Sequence, residues 1–86
     1  MSVVEWENAA RDELADIWVQ ATPAERSVIE PVVLGLERDL GDDPLAVGES
    51  RNGPLRVAVR DPLTFWFQVS PDGRWVRIVR VHRPRR

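Results

Sequence analysis

Four arginines, one histidine and one tryptophan in the second half of this sequence have the types and spacing to act on a phosphodiester. Cleavage of RNA by its own 2′-hydroxyl needs a base for the hydroxyl proton and an acid for the leaving oxygen. It also needs fixed positive charge for the transition state. Arginine supplies the charge through a planar fork of donors, but it does not exchange protons. An imidazole is the side chain that ordinarily changes charge near neutrality. His82 is the single histidine, and it stands between Arg80 and Arg83. The candidate catalytic set is therefore His82, Arg80 and Arg56. The candidate nucleic-acid or target-binding set is Arg56, Arg60, Trp66, Arg80 and Arg83. An indole among arginines stacks on a base or anchors a protein segment. The same arginines also fit the solvated face of a half-exposed strand, and His82 fits a surface position at a strand end.

All twelve basic residues are arginine, and their placement is uneven. Residues 1–50 hold three arginines against twelve acids, whereas residues 51–86 hold nine against two. An acidic half and a basic half suggest different partners for each. The split also fits two halves that offset each other and keep the domain soluble. The absence of cysteine excludes disulfides and thiolate metal sites. One histidine without suitably spaced carboxylates builds no zinc site, so neither metal nor cofactor is expected. Apolar runs are too short to cross a bilayer. The first ten residues carry two acids and no base, unlike a secretion signal. The expectation is a cytoplasmic protein with no membrane contact. Its 86 residues suit one domain, 1–86, with a modest core. A partner that binds only the folded form would add to its stability.

The elements that position these residues follow from periodicity. Val3, Val4 and Trp6 suggest a short opening strand. Ala10, Leu14, Ile17, Trp18 and Ala21 form one helical stripe, with Asn8 as the cap and Asp12, Glu13, Asp16 and Gln20 opposite. Trp6 and Trp18 read as core. Thr22-Pro23-Ala24-Glu25 has the form of a capping box with proline in the first turn. Ile29, Val32, Val33, Leu36 and Leu40 continue a second stripe. Pro31, off that stripe, predicts a kink or split toward solvent, and Gly41 predicts the stop. Two helices joined so tightly make an antiparallel hairpin. Residues 41–54 read as a loop. Alternation then predicts three strands, turning at Asp61-Pro62 and at Pro71-Asp72-Gly73. Arg56, Arg60 and Trp66 are expected on one shared face. The last strand, apolar on both sides, is expected to be central and covered on both. The fold class is α+β: a short N-terminal strand, the helical hairpin, then a three-stranded antiparallel sheet. The hairpin covers one face and the arginines take the other.

Three stretches carry a likeness to a known family. They are Glu13-Leu14-Ala15-Asp16-Ile17-Trp18, then Asp43-Pro44 followed by Gly48, and the run Val76 to Arg83. In this order they resemble the RelE/ParE toxin superfamily over nearly the whole chain. The resemblance implies the toxin of a bacterial type II toxin–antitoxin module, a growth inhibitor held by a cognate antitoxin in a hetero-oligomer. RelE-like members cut messenger RNA on the ribosome, and ParE-like members act on DNA gyrase. One fold serves both. RelE-like nucleases usually have an arginine where Thr64 stands, and many have a tyrosine near the C-terminus. This chain has no tyrosine, and Phe65 and Phe67 stand where tyrosines are common. The ending in Val, His and Arg is closer to ParE-like proteins. Endoribonuclease or binding protein both remain open. So does a degenerate, non-catalytic toxin-like module or a small Arg-rich RNA-binding protein.

Overall fold

The computed structural model describes residues 1–84; Arg85 and Arg86, two of the nine arginines of the basic half, lie outside the described residues. The element order is β1 (Val3–Trp6), α1 (Asn8–Gln20), α2 (Pro23–Asp42), β2 (Glu49–Asn52), β3 (Leu55–Arg60), β4 (Leu63–Val69) and β5 (Trp75–His82). A single 3-10 turn, Pro44–Ala46, links α2 to β2. The α+β class stands, but the sheet is larger than expected. It has five strands in the order β1-β5-β4-β3-β2. β1 runs parallel to β5, and every other pair is antiparallel. β1 joins the sheet at its far edge, and part of the expected loop forms the edge strand β2. That strand was hidden because Glu49-Ser50-Arg51-Asn52 is fully exposed and lacks apolar alternation. No helix among the described residues is long and apolar enough to cross a membrane.

The helices form where the pattern put them, with shifted ends. α1 begins at Asn8 itself, with Glu7 in the capping position and no side-chain cap. At the α2 start, Thr22 Oγ1 accepts from Glu25 N at 3.2 Å and Glu25 Oε1 accepts from Thr22 N at 2.8 Å. This reciprocal pair satisfies two N–H groups that a helix start otherwise leaves open. Pro31 lies inside α2 on its exposed side, and the helix continues through it. α2 also passes Gly41 and ends at Asp42. Arg26 closes the other helix end, donating from Nε to Trp18 O at 2.9 Å with its guanidinium over the Trp18 ring.

One face of the sheet is covered. Phe65 and Phe67 of β4, Leu63 beside them, and Val76 and Ile78 of β5 are all buried at 1 % exposure or less. They pack under Ile29, Leu36 and Leu40 of α2. Trp6 meets Phe65 edge to face at 6.4 Å, and its Nε1 donates to Glu37 Oε2 at 3.0 Å. α1 lies over β5 and α2 beside β1, so the hairpin roofs the two strands farthest apart in sequence.

β5 is central, as expected, but only one of its faces is covered. A bulge explains the apparent two-sided apolar pattern. Trp66 is level with Arg80 and Phe67 with Ile78, which leaves Val79 as an extra residue. Before the bulge Val76 and Ile78 point inward; after it Val81 does. An added residue in a strand reverses which side chains face the core. Arg80 and His82 are thereby turned outward, onto the open face.

Candidate functional site

The sheet register separates the residues that the sequence suggested. Arg56, Ala58 and Arg60 pair with Phe67, Phe65 and Leu63, all of them inward-facing. Arg56 and Arg60 therefore lie on the covered side of the sheet, at opposite ends of the core. Trp66 pairs with Val57 and points the other way. The expected shared face of Arg56, Arg60 and Trp66 does not form, because adjacent strands pair in the opposite parity from the one assumed. His82 also lies on the open face, away from Arg56 and Arg60.

Arg56 is held by three backbone carbonyls. Its Nη2 donates to Leu45 O at 3.1 Å and to Gly48 O at 3.2 Å. Its Nε donates to Val47 O at 3.2 Å. These bonds tie the α2–β2 connection against β3. Gly48 makes that approach possible: φ is +65°, and a Cβ there would sit 2.1 Å from Val57 O. Arg60 Nη1 donates to Asp39 Oδ2 on α2 at 2.7 Å. That bond, and the nearby positive charge, hold the Asp39 carboxyl below its ordinary value.

On the open face, Arg80 and Trp66 stand level on neighbouring strands, and the guanidinium covers the indole at 5.1 Å. Thr64 and His82 form the next pair along. Trp75 and Arg77, on the near side of the bulge, extend the row, with Trp75 51 % exposed. The result is a strip that holds two indoles, Trp66 and Trp75, and two guanidiniums, Arg77 and Arg80.

Glu13 positions this strip. Its Oε1 accepts the Val81 N–H at 3.1 Å, and its Oε2 lies 3.8 Å from Arg80 Nε. β1 pairs with β5 only as far as Ile78, so the strand edge beyond it has no strand partner on that side. Glu13 serves one of the donors left there. The sequence reading placed Glu13 on the outer side of α1, but it is half-buried against β5. Its spacing of four from Ile17, which packs on the core, was the available signal.

Beside His82 a cleft of about 860 Å³ opens between α1, the β3–β4 turn and the end of β5. Glu13, Asp16 and Gln20 line one wall, and Asp61, His82 and Arg83 the other. Arg83, the remaining candidate, is bound to Glu25 of the α2 capping box. The Glu25 carboxyl is lowered from 4.5 to about 2, first by the Thr22 N–H and then by its hydrogen bond to Arg83. Arg83 is thus part of the cleft wall and not of the Trp66–Arg80 strip. The arrangement offers stacking and anion binding on the open face, with one imidazole at its edge.

No family model matches the sequence, and no curated protein does. Solved structures do. A chain from the toxin–antitoxin complex RelBE2 of Mycobacterium tuberculosis superposes with a TM-score of 0.74 at 23 % identity, covering 96 % of this chain and 91 % of that one. A chain from the chromosomal ParDE toxin–antitoxin system of P. aeruginosa also gives 0.74, at 19 % identity, covering 99 % and 98 %. This chain has the RelE/ParE toxin fold over nearly its full length.

Proposed function

We propose that this chain is the toxin of a type II toxin–antitoxin module, and that it halts growth by gripping DNA gyrase with the open face of its sheet. A cognate antitoxin would hold it inactive in a cytoplasmic hetero-oligomer. Likeness to chains from two toxin–antitoxin structures supports the toxin role. The observation that carries the binding role is the division of the arginines. Arg80 is stacked on Trp66 and more than half exposed, whereas Arg56 and Arg60 are held by backbone carbonyls and by Asp39. Aromatic and arginine side chains in contact are common anchors of protein interfaces. Phosphoryl transfer, in contrast, needs an acid and a base at one phosphate. On the open face His82 is the one imidazole.

Expression of the chain alone is expected to arrest growth, with filamentous cells and intact messenger RNA. Purified protein is expected to block gyrase supercoiling, and Trp66→Ala or Arg80→Ala to relieve the block. Unimpaired supercoiling at saturating protein, together with cleaved messenger RNA, would refute the gyrase reading.

Ribosome-dependent messenger RNA cleavage is the second reading. It is favoured by His82 standing level with Thr64, one residue from Arg83 and beside a carboxylate-lined cleft. That reading requires His82→Ala to abolish arrest while the protein stays folded.

A further inference from the structure

The outer side of the helical hairpin carries a second exposed feature, on the side of the molecule away from the open sheet face. α1 and α2 enclose a groove of about 400 Å³ floored by Leu14, Trp18 and Val33. Its rims hold Val19 and Leu34, which are 73 % and 58 % exposed. An uncovered apolar groove of this kind marks an interaction surface. Two charges flank it, Arg11 on α1 and Glu30 on α2. Neither has a side-chain hydrogen bond or ion pair among the described residues. Arg26, the other cation near the groove, is tied to Trp18 O.

We propose that a second copy of this chain occupies the groove, in a two-fold dimer joined hairpin to hairpin. The placement of the two charges selects this occupant. The helices turn at Ala21 and Thr22, so Arg11 and Glu30 lie within about 3 Å of the same height on opposite sides of the groove, at 1.5 Å rise per residue. A two-fold axis along the hairpin lays α1 of one copy on α2 of the other with heights unchanged. Arg11 then faces the second copy's Glu30, and Glu30 faces the second copy's Arg11. One surface thereby supplies both halves of each pair, as a two-fold interface requires. Leu34 and Val19 are covered in the same step. Both open sheet faces stay outward, so association leaves Trp66 and Arg80 accessible.

The test is sedimentation velocity on the full chain, made by cell-free translation, from micromolar to near-millimolar concentration. The wild-type mass is expected to rise from 9.8 kDa toward twice that value. Arg11→Glu and Glu30→Arg place like charges against each other, and each is expected to weaken association at least about tenfold. The double variant restores opposite charges in both pairs and is expected to recover the dimer. Leu34→Glu, an exposed position, is expected to abolish it with an unchanged circular-dichroism spectrum. A wild-type chain that stays at 9.8 kDa throughout overturns the proposal and leaves the groove to another occupant, such as an antitoxin helix. Single reversals that associate like wild type, or a double variant that does not recover, also overturn it. The readout is mass and not growth arrest, so failure of the toxin reading leaves the result intact.

Discussion

The two faces of the sheet both carry arginines, and they use them in opposite ways. On the covered face, Arg56 serves three backbone carbonyls and Arg60 a carboxylate at 2.7 Å. On the open face, Arg77 and Arg80 are 57 % and 58 % exposed, and their acidic neighbours stand off at 3.9 and 3.8 Å. The residue type is the same and the strands are neighbours. What separates the roles is strand parity and one bulge. A guanidinium enclosed by acceptors holds the fold, whereas one held loosely over an indole is ready for a partner.

The most severe way to break this contrast is Ile78→Arg, which aims a guanidinium into the apolar core beside Phe67. The expected loss exceeds about 5 kcal/mol, enough to abolish folding. Urea denaturation followed by circular dichroism checks it; a variant as stable as wild type would show that strand parity does not set the faces. Arg56→Ala comes next. It leaves carbonyls of the α2–β2 connection unserved and is expected to cost about 2 kcal/mol. Growth arrest should then fall only as far as the folded fraction does. Trp66→Ala and Arg80→Ala reverse that profile. Stability should change by less than about 0.5 kcal/mol for the exposed Arg80, while target affinity drops about tenfold for either change.

The smallest effect sharpens the contrast at the C-terminal end. The Glu25 pKa is depressed from 4.5 to about 2, so its contribution to stability is complete above pH 4.5 and disappears as pH falls through about 2. Arg83→Ala is expected to move the Glu25 titration upward, toward but not reaching 4.5, because the Thr22 N–H still donates to it. A carboxyl-detected NMR titration of both proteins measures this.

The elements legible in the sequence were those with local causes. The capping box at Thr22 and Glu25, the two apolar stripes and the turns at Asp61-Pro62 and around Gly73 all formed, since each is decided within a few residues. β2 was missed because an exposed edge strand carries no apolar alternation. The site was harder to read because it depends on pairing between strands. Arg56 and Trp66 each looked outward on their own strand, and only register shows that they face opposite ways. Val79 reads as one more apolar residue in an apolar run, and only the bulge formed there shows which way Arg80 and His82 point. Glu13 was invisible for a similar reason: its role comes from β1 ending at Trp6, far away in sequence.

The parallel pairing of β1 with β5 has a consequence in time. The contacts that join them are among the most distant in the chain: Ser2 Oγ bonds Gly73 O across 71 residues. The helical hairpin and the β3–β4–β5 meander close over short loops and can form quickly, each with an unfinished apolar side. Docking β1 and α1 onto β5 closes spans of 71 and 68 residues, and long-range closures are the slow ones. Until then Phe65 lacks its edge contact with Trp6, and β5 lacks a neighbour on one side. The long closures that finish the sheet thus fall to the chain's first residues, which meet its last strand.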